Sequence, residues 1–165
     1  MASNKAGLPV NSFATDTSTV ANVAVGTVVE DVATGKTYKY VQAEDLALTV
    51  GDVVEYSDTT GYEVTKDRAG GSSIGRIVAG VALGAIADAS YGWIQVTGVN
   101  AYVKTDNSVA ASNALVPHAT TNGVADVAES GSEATNTEAQ VFGYALTTDT
   151  TTTTTNCTAI LRCAY

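Results

Sequence analysis

Apolar and β-branched residues in this chain fall in short runs separated by turn formers. The runs read "VANVAV", "GTVVEDV", "TYKYV", "DVVEY", "YEVT", "GRIVAGVAL", "GWIQV", "NAYVK", "ALVPH", "GVADV", "AQVFGYAL" and "CTAILRC". Between them stand "ATGK", "SDTTG", "AGGSS", "TTNG" and "SGSE". Runs of this length, rich in Val, Thr and Tyr and bounded by Gly and Asn, predict strands. Helix formers are scarce, while Thr, Val and Gly disfavour helix interiors. The longest helical candidate, "VALGAIADAS", carries Gly80 and Gly84, and reads better as a strand followed by a loop. The predicted fold is all-β, a sandwich or barrel of short antiparallel strands.

The stretch Tyr91–Asp106, "YGWIQVTGVNAYVKTD", shows where regular alternation fails. Before Gly98 the apolar face is Ile94 and Val96. After it, the apolar positions are Val99, Ala101 and Val103. A strand with a two-residue period changes phase only at an extra residue or a bend, so Gly98 is a predicted bulge or corner. The chain also echoes itself. Tyr40-Val41, Val53-Val54 and Gly61 recur 62 residues on as Tyr102-Val103, Leu115-Val116 and Gly123, and "GVAL" from Gly80 recurs as "GYAL" from Gly143. This predicts two pseudo-repeated β units, about 26–86 and 87–165, within one β domain over 21–165. Residues 1–20 read as an extended N-terminal arm with an apolar patch at Leu8, Pro9, Val10 and Phe13. Ser130–Glu138 reads as a polar linker, and Thr147–Thr155, all Thr except Asp149, as an exposed hairpin.

Composition adds a physical constraint. Of the 165 residues 45% are hydrophobic, but only 7% are aromatic, so Ala and Val must build the core. Small side chains bury little area each, at about 25 cal/mol per Å², and a thin core favours association into oligomers. The formal charge of −9 argues against nucleic acid and against anionic membrane surfaces as partners. No apolar run reaches the roughly 18 residues of a membrane span. The first twenty residues carry one lysine and no hydrophobic block, so the expectation is no secretory signal and assembly in a cytoplasm. Cys157 and Cys163 would share a strand face about 20 Å apart, at ~3.3 Å per residue, and read as two half-buried thiols.

Candidate chemistry is thin. His118 is the single histidine, in "VPHATTNG", where it reads as lining a turn. Zinc sites and Ser-His-Asp arrangements need more than that one imidazole. The carboxylates Glu30-Asp31, Glu44-Asp45, Asp52 and Glu55 could form a glycosidase pair, but fit solvated strand edges and turns better. Asp106, Asp126 and Asp149 could join a calcium site, but no D-x-D-x-D-G loop holds them. "AGGSSIGR" lacks the Gly-Lys-Ser/Thr ending of a phosphate loop. Tyr91 and Trp93 would suit a sugar platform if exposed, and a core or subunit contact if buried. The expectation is a chain with no catalytic residues, no cofactor and no metal.

"IVAGVALGA", "GWIQVTGVNAYVKTD" and "ASNALVPH" between Ile77 and Pro117–His118, followed by "AQVFGYALTTD", carry a resemblance. In that order they resemble strands of the small capsid cement or decoration proteins of tailed bacteriophages. The resemblance covers 70 to 90 residues and leaves the first 70 or so outside it. It implies an all-β fold and a non-enzymatic role on the outer surface of the virion. There the protein would bridge major capsid protein subunits and stabilise the head, often as a homotrimer. The expected contact residues are Leu8, Pro9, Val10, Phe13 and Trp93, with the arm ordering on its partner. Other expectations kept open are a phage tail, baseplate or head-fibre component, a carbohydrate-binding β-sandwich using Tyr91 and Trp93, and, last, a glycan hydrolase.

Overall fold

The computed structural model describes residues 13, 16–57, 62–67, 77–106, 108–128, 141–150 and 153–163. These contain ten strands and no helix. In chain order the strands are β1 (Val28–Asp31), β2 (Lys36–Ala43), β3 (Val53–Tyr56), β4 (Glu63–Thr65) and β5 (Val78–Ala82). There follow β6 (Tyr91–Thr105), β7 (Ala114–Pro117), β8 (Ala125–Val127), β9 (Gly143–Ala145) and β10 (Thr155–Arg162). The chain is all-β, as its alternation predicts. "VANVAV" forms no strand; it belongs to a segment of bends and turns leading into β1.

The strands lie in the order β1-β2-β4-β3-β5-β6-β10-β9-β7-β8, and further pairings of β2 with β6 and of β6 with β8 close the sheet on itself twice. One ring consists of β2, β4, β3, β5 and the N-terminal half of β6. The other consists of the C-terminal half of β6, β10, β9, β7 and β8. Each ring is antiparallel apart from one parallel contact, β2 with β4 in the first and β6 with β8 in the second. The sequence echo therefore maps strand onto strand: β3 onto β7, β4 onto β8, β5 onto β9. The pair β2–β6 of the first ring becomes the pair β6–β10 of the second. Closure leaves few unpaired edges, which suits a chain this rich in β-formers.

The long strand β6 belongs to both rings, and its phase change is built from two bulges around Gly98. Against β2 the register jumps from Thr37↔Thr97 to Tyr38↔Gln95, leaving Val96 extra. Against β10 it jumps from Cys157↔Val103 to Ala159↔Asn100, leaving one extra residue at Ala101–Tyr102. Gly98 sits between them at φ +89°, and a Cβ there would stand 2.8 Å from the carbonyl oxygen of Gly35. One expectation fails in detail. Val99 and Ala101 point outward and Asn100 is buried, so the inward phase passes from Val96 through Asn100 and changes only at the second bulge.

Inside the rings lies one continuous core of Val, Ala, Ile and Leu with Phe142, Cys157 and Cys163. A second cluster of Phe13, Val29, Tyr38, Tyr40 and Trp93 packs on the opposite face of β2 and β6, outside the first ring. It holds much of the aromatic mass, and the N-terminal segment covers it. Of the arm expected over residues 1–20, the described part is docked here. Ser18 bridges to Tyr91, and Asp16 accepts a hydrogen bond from Trp93 Nε1 at 2.8 Å.

Candidate interaction surface

The polar clusters serve the fold first. Asp52 is buried at the junction of the two rings. It accepts from the backbone N–H of Thr49 at 2.8 Å, from Lys66 Nζ at 2.8 Å and from Lys104 Nζ at 2.5 Å. Lys66 follows β4 of the first ring, and Lys104 lies in the part of β6 that belongs to the second, so one carboxylate joins both. Gly123 lies against it at φ +71°, where a Cβ would stand 3.0 Å from Asp52 Cγ. Asp31 accepts from the N–H of Ala33 at 3.1 Å and from Thr34 Oγ1 at 2.5 Å, which fastens the β1–β2 turn. The Thr34 hydrogen bond, more than any nearby charge, holds the Asp31 carboxyl below the ordinary carboxylate value.

His118 lines its turn, as its sequence context suggests. Its Nδ1 accepts the N–H groups of Thr120 at 3.1 Å and Thr121 at 2.9 Å. The ring proton therefore sits on Nε2, which faces Asp106 at 3.6 Å and Asp126 at 3.9 Å. Asp149 takes hydroxyl hydrogen bonds from Thr105 and Thr155. Among the described residues no group of three or more His, Cys, Asp or Glu side chains could hold a metal ion. Of the paired carboxylates, Glu30 and Asp31 point to opposite faces of β1, and Asp52 is held by its two lysines. "AGGSSIGR" lies outside the described residues; the strands on either side of it, β4 and β5, are ordinary members of the first ring. A cavity of about 500 Å³ beside Ser18, Leu48, Thr49, Ile86 and Ser90 has no titratable group in its lining.

Cys157 and Cys163 are both free and buried in the core, more deeply than expected. Burial pushes their thiols up from 9.0, to about 11 and about 12 respectively. Neither is a nucleophile near neutral pH, where the thiolate is the reactive form.

The residues expected to touch a partner are placed as follows. Leu8, Pro9 and Val10 lie outside the described residues. Phe13 and Trp93 are packed on each other, with ring centroids 4.3 Å apart and planes 18° apart, and are 2% and 0% exposed. Phe13 also meets Tyr38 edge-on, and Tyr40 tilts against Trp93 at 5.1 Å. In this arrangement Trp93 is fully buried by side chains of the same chain, as the core reading has it, and the exposed sugar platform kept open for Tyr91 and Trp93 is not formed.

Exposed apolar side chains occur at Val20, Val28, Val32, Val50, Tyr62 and Ile77, and four more gather on the outer face of the second ring. Tyr144 of β9, Ile160 of β10 and Val99 of β6 are direct cross-strand partners in one row. Beside them stand Tyr102 and Leu146. Val99 is 42% exposed, Tyr102 58%, Tyr144 41% and Leu146 48%, and the Arg162 guanidinium lies 5.8 Å from the Tyr144 ring centroid. Exposed apolar residues set side by side in this way make the face a candidate interaction surface. Sequence reasoning missed it. The available signal was the repeat itself: Tyr102 corresponds to Tyr40, which is fully buried, whereas Tyr102 is exposed.

No family model and no curated protein matches the chain. Among solved structures it is similar to the N base of the head fibre gp8.5 of bacteriophage phi29, with 14% sequence identity and a TM-score of 0.48. The match covers 76% of this chain and 93% of that one.

Proposed function

We propose that this protein is a non-enzymatic decoration protein of a tailed-phage head. It binds the outer surface of the capsid as a homotrimer and bridges major capsid protein subunits, so it resides on the virion. The observation that carries this reading is where the resemblance falls. "GVAL", "GWIQVTGV", "NALVP" and "VFGYAL" fall in β5, β6, β7 and β9 of one interlocked all-β body. They are framework strands, and the polar clusters between them fasten turns and join rings. A protein of this kind acts by what it holds together. Two rings that share a strand resist being pulled apart, since β6 cannot leave one ring without opening the other. The net charge of −9 suits a position outside a shell filled with nucleic acid.

The test is reconstitution. Purified protein is added to heads that lack it, which are then sedimented and heated. The expected result is saturable co-sedimentation with heads and a higher temperature of DNA release. Binding to tails or baseplates with none to heads overturns the reading in favour of a tail component, and turnover of a glycan overturns its non-enzymatic part.

A further inference from the structure

The turn that joins β7 to β8 is fastened by a base. It leaves β7 at His118, whose N–H donates to the carbonyl of Val124 at 2.8 Å just before β8 begins. Inside the turn, His118 Nδ1 accepts two backbone donors, the N–H groups of Thr120 at 3.1 Å and Thr121 at 2.9 Å. An imidazole nitrogen accepts only while it carries no proton, so the closed turn requires a neutral ring. Histidine is the side chain whose charge ordinarily changes between about pH 5 and about pH 8.

Protonation acts on the two sides of the ring in opposite senses. At Nδ1 the new proton points at two N–H groups, so donor meets donor and both hydrogen bonds are lost. At Nε2 the added charge is attracted by Asp106, 3.6 Å away beyond the end of β6, and by Asp126, 3.9 Å away on β8. The other charged groups around the turn are Asp67, which accepts from Asn122 Nδ2 at 3.4 Å, and Asp52 behind Gly123, which Lys66 and Lys104 already hold. The ring can carry its charge between two carboxylates, and what it gives up is the turn.

The turn in its closed form reaches across to the first ring. The carbonyl of Gly123 accepts the N–H of Val53 at 2.8 Å, at the start of β3, and Gly123 itself seats against Asp52. We propose that residues 118–123 are a proton-operated latch between the two rings, shut while His118 is neutral and released when Nδ1 takes up a proton. Release frees the N–H groups of Thr120 and Thr121 and, through Gly123, that of Val53. The core and the shared strand β6 are untouched, so the body stays folded while the seam between its rings loosens at this point. The latch stands independently of the decoration role.

Amide hydrogen exchange of the full chain, read residue by residue and corrected for the intrinsic pH dependence of exchange, tests it. Between about pH 7.5 and about pH 5 aspartates ordinarily keep their charge, so the imidazole is the group that changes, and its C–H resonances follow its titration in the same samples. Protection of the Thr120, Thr121 and Val53 amides should fall about tenfold across that titration, while the amides of β2 hold theirs. In His118→Asn the side-chain Oδ1 stands one bond beyond Cγ, as Nδ1 does, and accepts from the same N–H groups at any pH. That variant should keep the protection and lose its pH dependence. Protection that stays level while the imidazole titrates overturns the latch, and an equal fall in His118→Asn assigns the effect to the carboxylates instead. Release of Thr120 and Thr121 with Val53 still protected also overturns it, since the turn would then answer pH without holding the rings together.

Discussion

Phe13 sets the strength with which the N-terminal segment holds to the first ring. Its ring stacks on Trp93 and is closed in by Tyr38. Truncating a buried phenylalanine costs roughly 3–5 kcal/mol, and this site belongs at the low end because the segment can lift away instead of leaving a cavity. Phe13→Ala should lower the urea midpoint accordingly and shift Trp93 emission to the red, since water then reaches the indole. An unshifted emission maximum would mean that another group covers Trp93. The buried thiols make a pH prediction. Folding raises Cys157 to about 11 and Cys163 to about 12, from 9.0. Their neutral forms belong to the folded state, so their contribution is whole below pH 9 and is lost as pH climbs through those folded values. Tyr38 and Tyr40, raised by burial from 10.0, act in the same direction. Urea midpoints at about pH 8 and about pH 10.5 should therefore differ, and the difference should shrink in the Cys157→Ala/Cys163→Ala variant. An identical alkaline drop in the variant would assign the slope to the tyrosines alone.

Among the elements, β5 and β9 show how far the repeat goes. Gly80 and Gly143 are corresponding residues. A Cβ on Gly80 would stand 2.5 Å from the carbonyl oxygen of Gln95 in β6, and a Cβ on Gly143 would stand 2.5 Å from that of Ile160 in β10. Both glycines let one strand approach the next more closely than a side chain allows, and in both cases the obstruction is backbone, which yields little. Overpacking of this kind costs about 1–3 kcal/mol, so Gly80→Ala and Gly143→Ala should each destabilise towards the top of that range, and by similar amounts. Equilibrium denaturation of the two variants checks it; a large loss in one and none in the other would make the likeness of β5 and β9 superficial. The strands themselves were legible because each run alternates or is bounded by Gly, Asn or Thr-Thr. Less legible was anything that depends on an extra residue. Gly98 announced the corner in β6, but the bulges at Val96 and at Ala101–Tyr102 carry no residue signature, so Val99 was assigned to the wrong face. "VANVAV" misled for another reason. It is apolar enough for a strand, yet its chain wraps an aromatic cluster, and Val23 packs on that cluster from outside. Phe13 and Trp93, offered as contacts for a partner, found each other because one chain's own segment supplies an aromatic ring at far higher local concentration than a second molecule.

For the whole molecule the consequence of a shared strand is cooperativity. Two independent barrels would unfold in two steps whenever their stabilities differed. Here β6 supplies a wall of both rings, the core runs through both without a break, and Asp52 ties Lys66 on one side to Lys104 on the other. Opening the first ring frees the N-terminal half of β6 and displaces Asp52, the carboxylate that Lys104 of the C-terminal half holds. Urea unfolding followed by Trp93 emission, which reports the first ring, and by far-ultraviolet circular dichroism, which reports both, should give coincident single transitions. Residues 1–86 alone contain β1 to β5 but not β6, so that fragment cannot close its ring and should remain unfolded, however strong its own strand propensities. Two resolved transitions, or a folded 1–86 fragment, would show that the rings are separate units that happen to touch. The load-sharing that the proposed cement role requires would then have to come from elsewhere, because a body that opens between its two rings transmits little force through them.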